Sequence, residues 1–307
     1  MAKKLLILGT VAFDSIETPV GKADKIIGGC ASYIAQAASY FDIESAVVSI
    51  VGNDFPKEYL NQMETQKIDT SGIEIVPDGK TFFWSGKYLD NMNSRETLVT
   101  ELNVLEHFNP KVPESYKDAS VVMLGNLHPD LQLSCLEQMN KTPKLVVMDT
   151  MNFWMDLCMD AVKNTLKHVD VLTINDEEAR QLSGVFSLVE AAEIIQEMGP
   201  KYVIIKKGAD GALLFGEGKI FSAPALPLKA VFDPTGAGDS FAGGFCGYLT
   251  KNEDFSFEGL KTAIIHGSNL ASFCVESFGI KKLESIDASQ IKNRLETFKE
   301  LTSFQLN

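Results

Sequence analysis

The sequence has no apolar run approaching the roughly 18 residues or more that a membrane-spanning helix needs, so nothing in it reads as a membrane span. It has no low-complexity tract and no repeat at a solenoid period, which sets aside disordered linkers and stacked-repeat folds. Basic residues are scarce: 28 Lys and Arg stand against 41 Asp and Glu, for a formal net charge of -13. Such a chain is repelled by nucleic acid and by anionic membrane, and neither is expected as a partner. A phosphate ligand stays open, because backbone N–H groups at a helix start bind phosphate without lysines. The five cysteines (Cys30, Cys135, Cys158, Cys246 and Cys274) form no C-x-x-C pair, and no His/Cys cluster has zinc spacing. An odd, scattered set fits a reducing compartment, so a cytoplasmic location is the expectation. Cys30 and Cys246 each lie near a glycine-rich motif and are expected to be small buried residues.

What is present is ordinary globular material. The chain has 307 residues, with 45% hydrophobic and 22% charged. We read residues 1–307 as one domain. The opening MAKKLLILGTVAF imitates a signal peptide, but Asp14 ends the apolar stretch without a clear cleavage site, and a first buried strand is the better reading. Short apolar runs at 5–8, 45–51, 120–124, 145–148, 171–174 and 202–205 read as strands. Helical spacing appears between most of them, at 31–41, 56–65 and 188–198. Continuous apolar strands alternating with helices predict an α/β fold: a doubly wound, mainly parallel sheet with helices on both faces. After Phe232 the pattern turns helical, through 237–249, 257–275 and 288–298.

One region breaks the alternation. Ile73–Val76, then Pro-Asp-Gly-Lys, then Thr81–Tyr88 reads as a β-hairpin, with Phe82, Trp84 and Tyr88 on one face. A β element there could be a lid, an oligomer interface or an edge hairpin with its aromatics packed inward.

The sharpest feature is Asp233-Pro-Thr-Gly-Ala-Gly-Asp-Ser-Phe-Ala-Gly-Gly-Phe245. Pro234 and Gly236 open a turn, and a helix follows, so Gly236, Ala237 and Gly238 would expose unpaired N–H groups at a helix N-terminus. Those donors and the helix dipole make an anion site that glycine lets a phosphate approach closely. Asp239, in the first turn, would lie beside a transferring phosphoryl group, where a general base is needed. No Lys follows these glycines, so the string is not a P-loop; nor is it the dinucleotide fingerprint G-x-G-x-x-G. Read alone, the other pieces are less specific. Asp14 could simply end a strand, Gly28-Gly29 could be only a turn before a helix, and Asn175 with Glu178 could be a capping box.

The string 233–245 resembles the signature of the ribokinase-like (PfkB) carbohydrate kinase family, which also includes adenosine and other nucleoside kinases. The resemblance runs through nearly the whole chain. Gly28-Gly29 resembles the family's N-terminal glycine pair, and Asp14 the carboxylate that binds substrate hydroxyls. Asn175-Asp-Glu-Glu178 is similar to its N-x-x-E element, associated with magnesium and phosphate. Lys207-Gly208-Ala-Asp-Gly211 is similar to its nucleotide-binding strand-turn. The resemblance implies a ribokinase-like fold with a β lid over the sugar, placed at about 14–25 and 73–102. It implies an ATP-dependent kinase acting on a sugar or related polyol hydroxyl, with a nucleoside kinase as alternative and a non-catalytic nucleotide sensor as the remoter one. Asp239 would be the base, and Gly236, Ala237 and Gly238 the anion hole. Asp14, Gly28, Gly29 and Asp239 would meet the acceptor, and Lys207, Gly208, Gly211, Gly236, Gly238 and Asn269 the ATP. Magnesium would be held at Asn175 and Glu178 through water, and a monovalent cation such as potassium near Asp233 and Gly279. A homodimer through the β lid is the partner expectation. The stretch Asp149-Thr-Met-Asn152-Phe-Trp154 departs from the family's Asp-x-Asn-x-Arg pattern by lacking the Arg.

Overall fold

A computed structural model describes residues 3–305. Its first half contains β1 (Lys4–Leu8), β2 (Ala12–Thr18), β3 (Gly21–Gly28), α1 (Cys30–Ser39), β4 (Glu44–Gly52), α2 (Lys57–Thr65), β5 (Ile68–Asp69), β6 (Ile73–Val76), β7 (Phe83–Tyr88), β8 (Arg95–Glu101), β9 (Val121–Leu124) and α3 (Pro129–Glu137). The second half contains β10 (Leu145–Asp149), α4 (Asn152–Leu166), β11 (Val171–Asn175), α5 (Asp176–Ser183), α6 (Leu188–Glu197), β12 (Tyr202–Lys206), β13 (Ala212–Gly216) and β14 (Lys219–Ala223). It ends in α7 (Ala237–Asn252), α8 (Phe257–Cys274), α9 (Lys281–Ser285) and α10 (Ala288–Thr302).

The main sheet runs β14-β13-β12-β11-β10-β9-β1-β4-β5, with β6 also on β4. It is parallel from β12 to β5 and closes on an antiparallel meander, β12-β13-β14. Alternation along β1 divides the core: Leu5 and Ile7 pack beneath α1, α7 and α8, whereas Leu6 and Leu8 face α3, α4, α5 and α6. Strands buried on both faces must be apolar at every position, which is why their sequences read as unbroken runs. The chain winds from β1 toward β4 on one side and from β9 toward β12 on the other. The crevice outside the carboxyl ends of β1 and β9 is therefore the switch point at which such sheets bind ligands.

A second, four-stranded sheet, β3-β2-β7-β8, stands apart from the first. It is mixed: β2 and β7 are parallel, and the two outer pairs antiparallel. This is the lid, and its composition corrects the expected hairpin. Residues 73–76 do not pair with 81–88; they lie parallel on β4, Ile73 opposite Ser49. The Pro-Asp-Gly-Lys turn carries the chain out of the main sheet. Thr81 anchors the exit, its N–H donating to Asp54 Oδ1 (2.8 Å) and its hydroxyl accepting from Gly52 N–H (3.0 Å). The hairpin is instead β7–β8, and the lid comprises residues 12–28 and 83–101.

Candidate active site

The turn that opens α7 is held by hydrogen bonds of its own. Asp233 is fully buried, and its two carboxylate oxygens accept from Thr235 N–H (2.8 Å) and Gly279 N–H (2.9 Å). Those bonds tie the turn to the segment after α8. Gly236 follows in the left-handed region at φ 75°. A Cβ there would lie 2.4 Å from the ring of Tyr33, so only glycine fits, and the turn rests on a buried tyrosine. Among the described residues nothing accepts the N–H of Gly236, Gly238 or Asp239, whereas Ala237 already donates to Pro234 O at 3.2 Å. Three N–H groups are thus left without an acceptor among the described residues, at the point where α7 begins.

Carboxylates converge on that point from separate elements. Asp14 rises from β2, buried, with the backbone of Gly28 so close that a Cβ would fall 2.0 Å from its Oδ2. Burial pushes Asp14 up to about 7; the carboxylates of Asp233 and Asp239 add to this, while the Gly29 N–H opposes it. Asp239 is likewise pushed up to about 7, by burial and by Asp149, against the pull of Lys206 and Arg95. Glu178 reaches about 7 from burial and Asp149, with Lys206 opposing. An excess of buried negative charge that is not neutralised within the chain is what a cation would relieve.

Lys206 ends β12 and crosses to Asp149 at the end of β10, Nζ to Oδ2 at 2.9 Å. Burial alone would lower its pKa, but Asp149, Glu178 and Asp239 outweigh that and hold it charged. The same ammonium lies 3.1 Å from where a Cβ on Gly238 would be, over the first turn of α7.

The lid covers this edge. Asp14 and Trp84 are opposite one another on β2 and β7, hence on one face. The Arg95 guanidinium sits 5.7 Å over the Trp84 ring, and Trp84 Nε1 donates to Thr97 Oγ1 at 3.3 Å. The buried Tyr88 hydroxyl accepts from Thr235 Oγ1 at 3.1 Å, joining lid to phosphate turn. Asn93, between β7 and β8, lies against Gly208: a Cβ there would be 3.1 Å from its Oδ1.

Residues 3–285 match the profile of the pfkB family of carbohydrate kinases. The chain belongs to the pfkB family. Its fold and its kinase activity, phosphoryl transfer to a hydroxyl acceptor, follow from that membership. The chain is 32% identical over 247 residues to the cytidine kinase of Thermococcus kodakarensis, covering 78% of this chain and 86% of that one. The crystal structure of Methanocaldococcus jannaschii nucleoside kinase superposes with a TM-score of 0.76 at 22% identity, over 96% of this chain and 98% of that chain. A putative ribokinase II from E. coli, in complex with ATP and magnesium, superposes with a TM-score of 0.79 at 18% identity, over 97% and 99%.

Within this pfkB chain the structure brings Asp14 together with Gly28 and Gly29 and within electrostatic reach of Asp239, and Glu178 shares Asp149 and Lys206 with Asp239 as charged neighbours. Asn175 and Glu178 do form a capping box: Asn175 Oδ1 accepts Glu178 N–H and Glu178 Oε2 accepts Asn175 N–H, each at 2.8 Å. One oxygen of Glu178 stays free of that box. Several expected site residues already have hydrogen-bond partners within the chain. Ala237 is taken up by the turn and is not a free donor. Asn269 is fully buried and donates to Ile291 O at 3.0 Å, tying α8 to α10. Asp233 accepts a backbone N–H on each oxygen, one of them from Gly279, so the pair holds the loop. Lys207 closes the turn through its backbone, its N–H donating to Gly211 O at 2.7 Å, whereas the preceding lysine enters the site. Sequence reasoning missed Lys206, Arg95 and the role of Asp149. The available signals were parity, since strand alternation sends Lys206 and Lys207 to different sides, and the fact that Arg95 is the sole arginine between 73 and 102.

Proposed function

We propose that this kinase transfers the γ-phosphate of ATP to the hydroxymethyl group of a nucleoside. The observation that carries the reading is the pairing of Asp14 with Trp84 on one face of the lid: a carboxylate for ribose hydroxyls beside an aromatic plane for a base. The similarity to a cytidine kinase supports it. Asp239 takes the acceptor proton as the new P–O bond forms, and the Gly236 and Gly238 N–H groups offset charge on the transferring phosphoryl. The turn at Gly208 and Gly211, under the tip of the lid, suits the nucleotide phosphates. Magnesium would lie at Glu178 and Asn175 through water; hard oxygen donors amid uncompensated carboxylates fit that ion, which supplies charge neutralisation to the phosphates.

A coupled assay of ADP release, run with pyrimidine and purine nucleosides and with free ribose, fructose and 2-keto-sugar acids, tests the reading. We expect kcat/KM for the best nucleoside to exceed that for the best free sugar by about tenfold or more, one aromatic contact's worth. A free sugar as the preferred acceptor would overturn the nucleoside reading and leave the kinase intact.

A further inference from the structure

We propose that Lys206 is a catalytic residue that contacts the transferred phosphoryl group, with Asp149 as its tether. The inference rests on residues 236–239 being the phosphoryl site. A lysine ammonium carries three donors, and among the described residues Asp149 Oδ2 is the one hydrogen-bond partner of Lys206 Nζ. The side chain is 17% exposed and that of Asp149 10%, so the ammonium is largely withdrawn from bulk water, and two of its N–H groups have no acceptor among the described residues. They sit where an acceptor would come. Nζ overhangs Gly238, whose own N–H is free, and it is within the electrostatic reach of Asp239 and Glu178.

The backbone fixes this placement. Lys206 is in register with Asn175, the cap of α5, so the ammonium stands between the magnesium wall and the first turn of α7. Without a ligand it neutralises part of the carboxylate cluster. With ATP bound it reaches the γ-phosphoryl oxygens from beside Gly238.

The step balances without a change in lysine protonation. The acceptor oxygen bonds to phosphorus, its proton passes to the Asp239 carboxylate, and the bond from phosphorus to the bridging oxygen breaks, ADP leaving with the electron pair. Lys206 stays an ammonium and meets the growing charge on the equatorial oxygens. The stretch Asp149-Thr-Met-Asn152-Phe-Trp154 contains no Arg, and Lys206 brings a cation to Asp149 from the neighbouring part of the sheet.

The test compares Lys206→Met with Lys206→Arg and measures two things: steady-state kinetics, and calorimetric affinity for ADP and for the non-hydrolysable analogue AMP-PNP. We expect Lys206→Met to lower kcat by about 10²–10³, the loss typical of one removed phosphoryl or oxyanion donor. Acceptor KM should stay within about threefold, a change of less than 1 kcal/mol. The analogue should lose its affinity advantage over ADP, and the arginine variant should recover most of the turnover. If Lys206→Met alone does not fold, Lys206→Met with Asp149→Asn removes both charges, leaves no buried ion unpaired, and should show the same losses. Turnover within about twofold of wild type, or equal losses of ADP and analogue affinity with kcat kept, would overturn the proposal. Asp239→Asn is run alongside. If it too leaves turnover intact, the reading of 236–239 as the phosphoryl site falls; if it alone lowers turnover, only the role of Lys206 falls.

Discussion

At the scale of single residues the site is a contest between burial and charge. Asp14, Asp239 and Glu178 are each held near 7 because the fold takes them out of water and sets Asp149, Asp233 or one another close by. For the role proposed for Asp239 this is useful, since a base is most effective when its pKa lies near the working pH. A protonated Asp239 cannot accept the acceptor hydroxyl proton, so activity is lost as pH falls through about 7 and levels off above it. The free-enzyme profile of kcat/KM should show that rising limb. Asp239→Asn should flatten it and lower kcat by on the order of 10²–10⁴, with ATP affinity nearly unchanged. A wild-type profile flat from pH 5 to 8 would place the base elsewhere.

At the scale of elements, the proposed reaction makes the lid the part that selects the acceptor. Its second hairpin is tied to the phosphate turn by Tyr88 and Thr235 and reaches the nucleotide turn through Asn93. Trp84 is half-buried, with Arg95 over its ring, and shares the face of Asp14. Base stacking on an aromatic side chain contributes about 1–3 kcal/mol, so Trp84→Ala should raise acceptor KM by on the order of tenfold while leaving ATP KM alone. Kinetics and sedimentation on the same variant check this. A lower melting temperature with KM and mass both unchanged would make the ring ordinary packing. The lid also shows where the sequence was and was not legible. The buried parallel strands announce themselves, because both faces demand apolar side chains. The segment 73–88 misleads, because a Pro-Asp-Gly-Lys turn signals a hairpin locally while β6 finds its partner, β4, more than twenty residues back. The turn at 233–239 was legible because close backbone approach forces glycine. Lys206 was not, because the choice between two adjacent lysines depends on which residue ends the strand, and boundaries are the least certain part of any pattern reading. Arg95 was hidden by distance along the chain.

At the scale of the whole molecule, the catalytic cluster works against the fold that carries it. Carboxyl groups with raised folded-state pKa values bind protons more tightly in the native chain than in the unfolded one. Their contribution to stability is full below about pH 4 and is lost as pH rises through about 7. The exposed pairs Lys87–Glu17 and Lys67–Asp42 act in the opposite sense and offset little, being open to solvent. The ligand-free protein should therefore melt at a lower temperature at pH 8 than at pH 6. Asp239→Asn, neutral and nearly the same shape, should raise the melting temperature more at pH 8 than at pH 5. Equal effects at both pH values would show that Asp239 carries no unfavourable charge in the native state.

The Asp233 tie has a consequence for how the enzyme meets its nucleotide. With Oδ1 on Thr235, Oδ2 on Gly279 and the Tyr33 ring beneath Gly236, the turn has no slack to take up when a phosphate arrives. Ordering of that loop belongs to the folding transition and is not repeated in each catalytic cycle. The amide protons of Thr235 and Gly279 should then exchange with deuterium as slowly in the empty enzyme as in the nucleotide-bound one, and whatever opens and closes during turnover is the lid above a stationary floor.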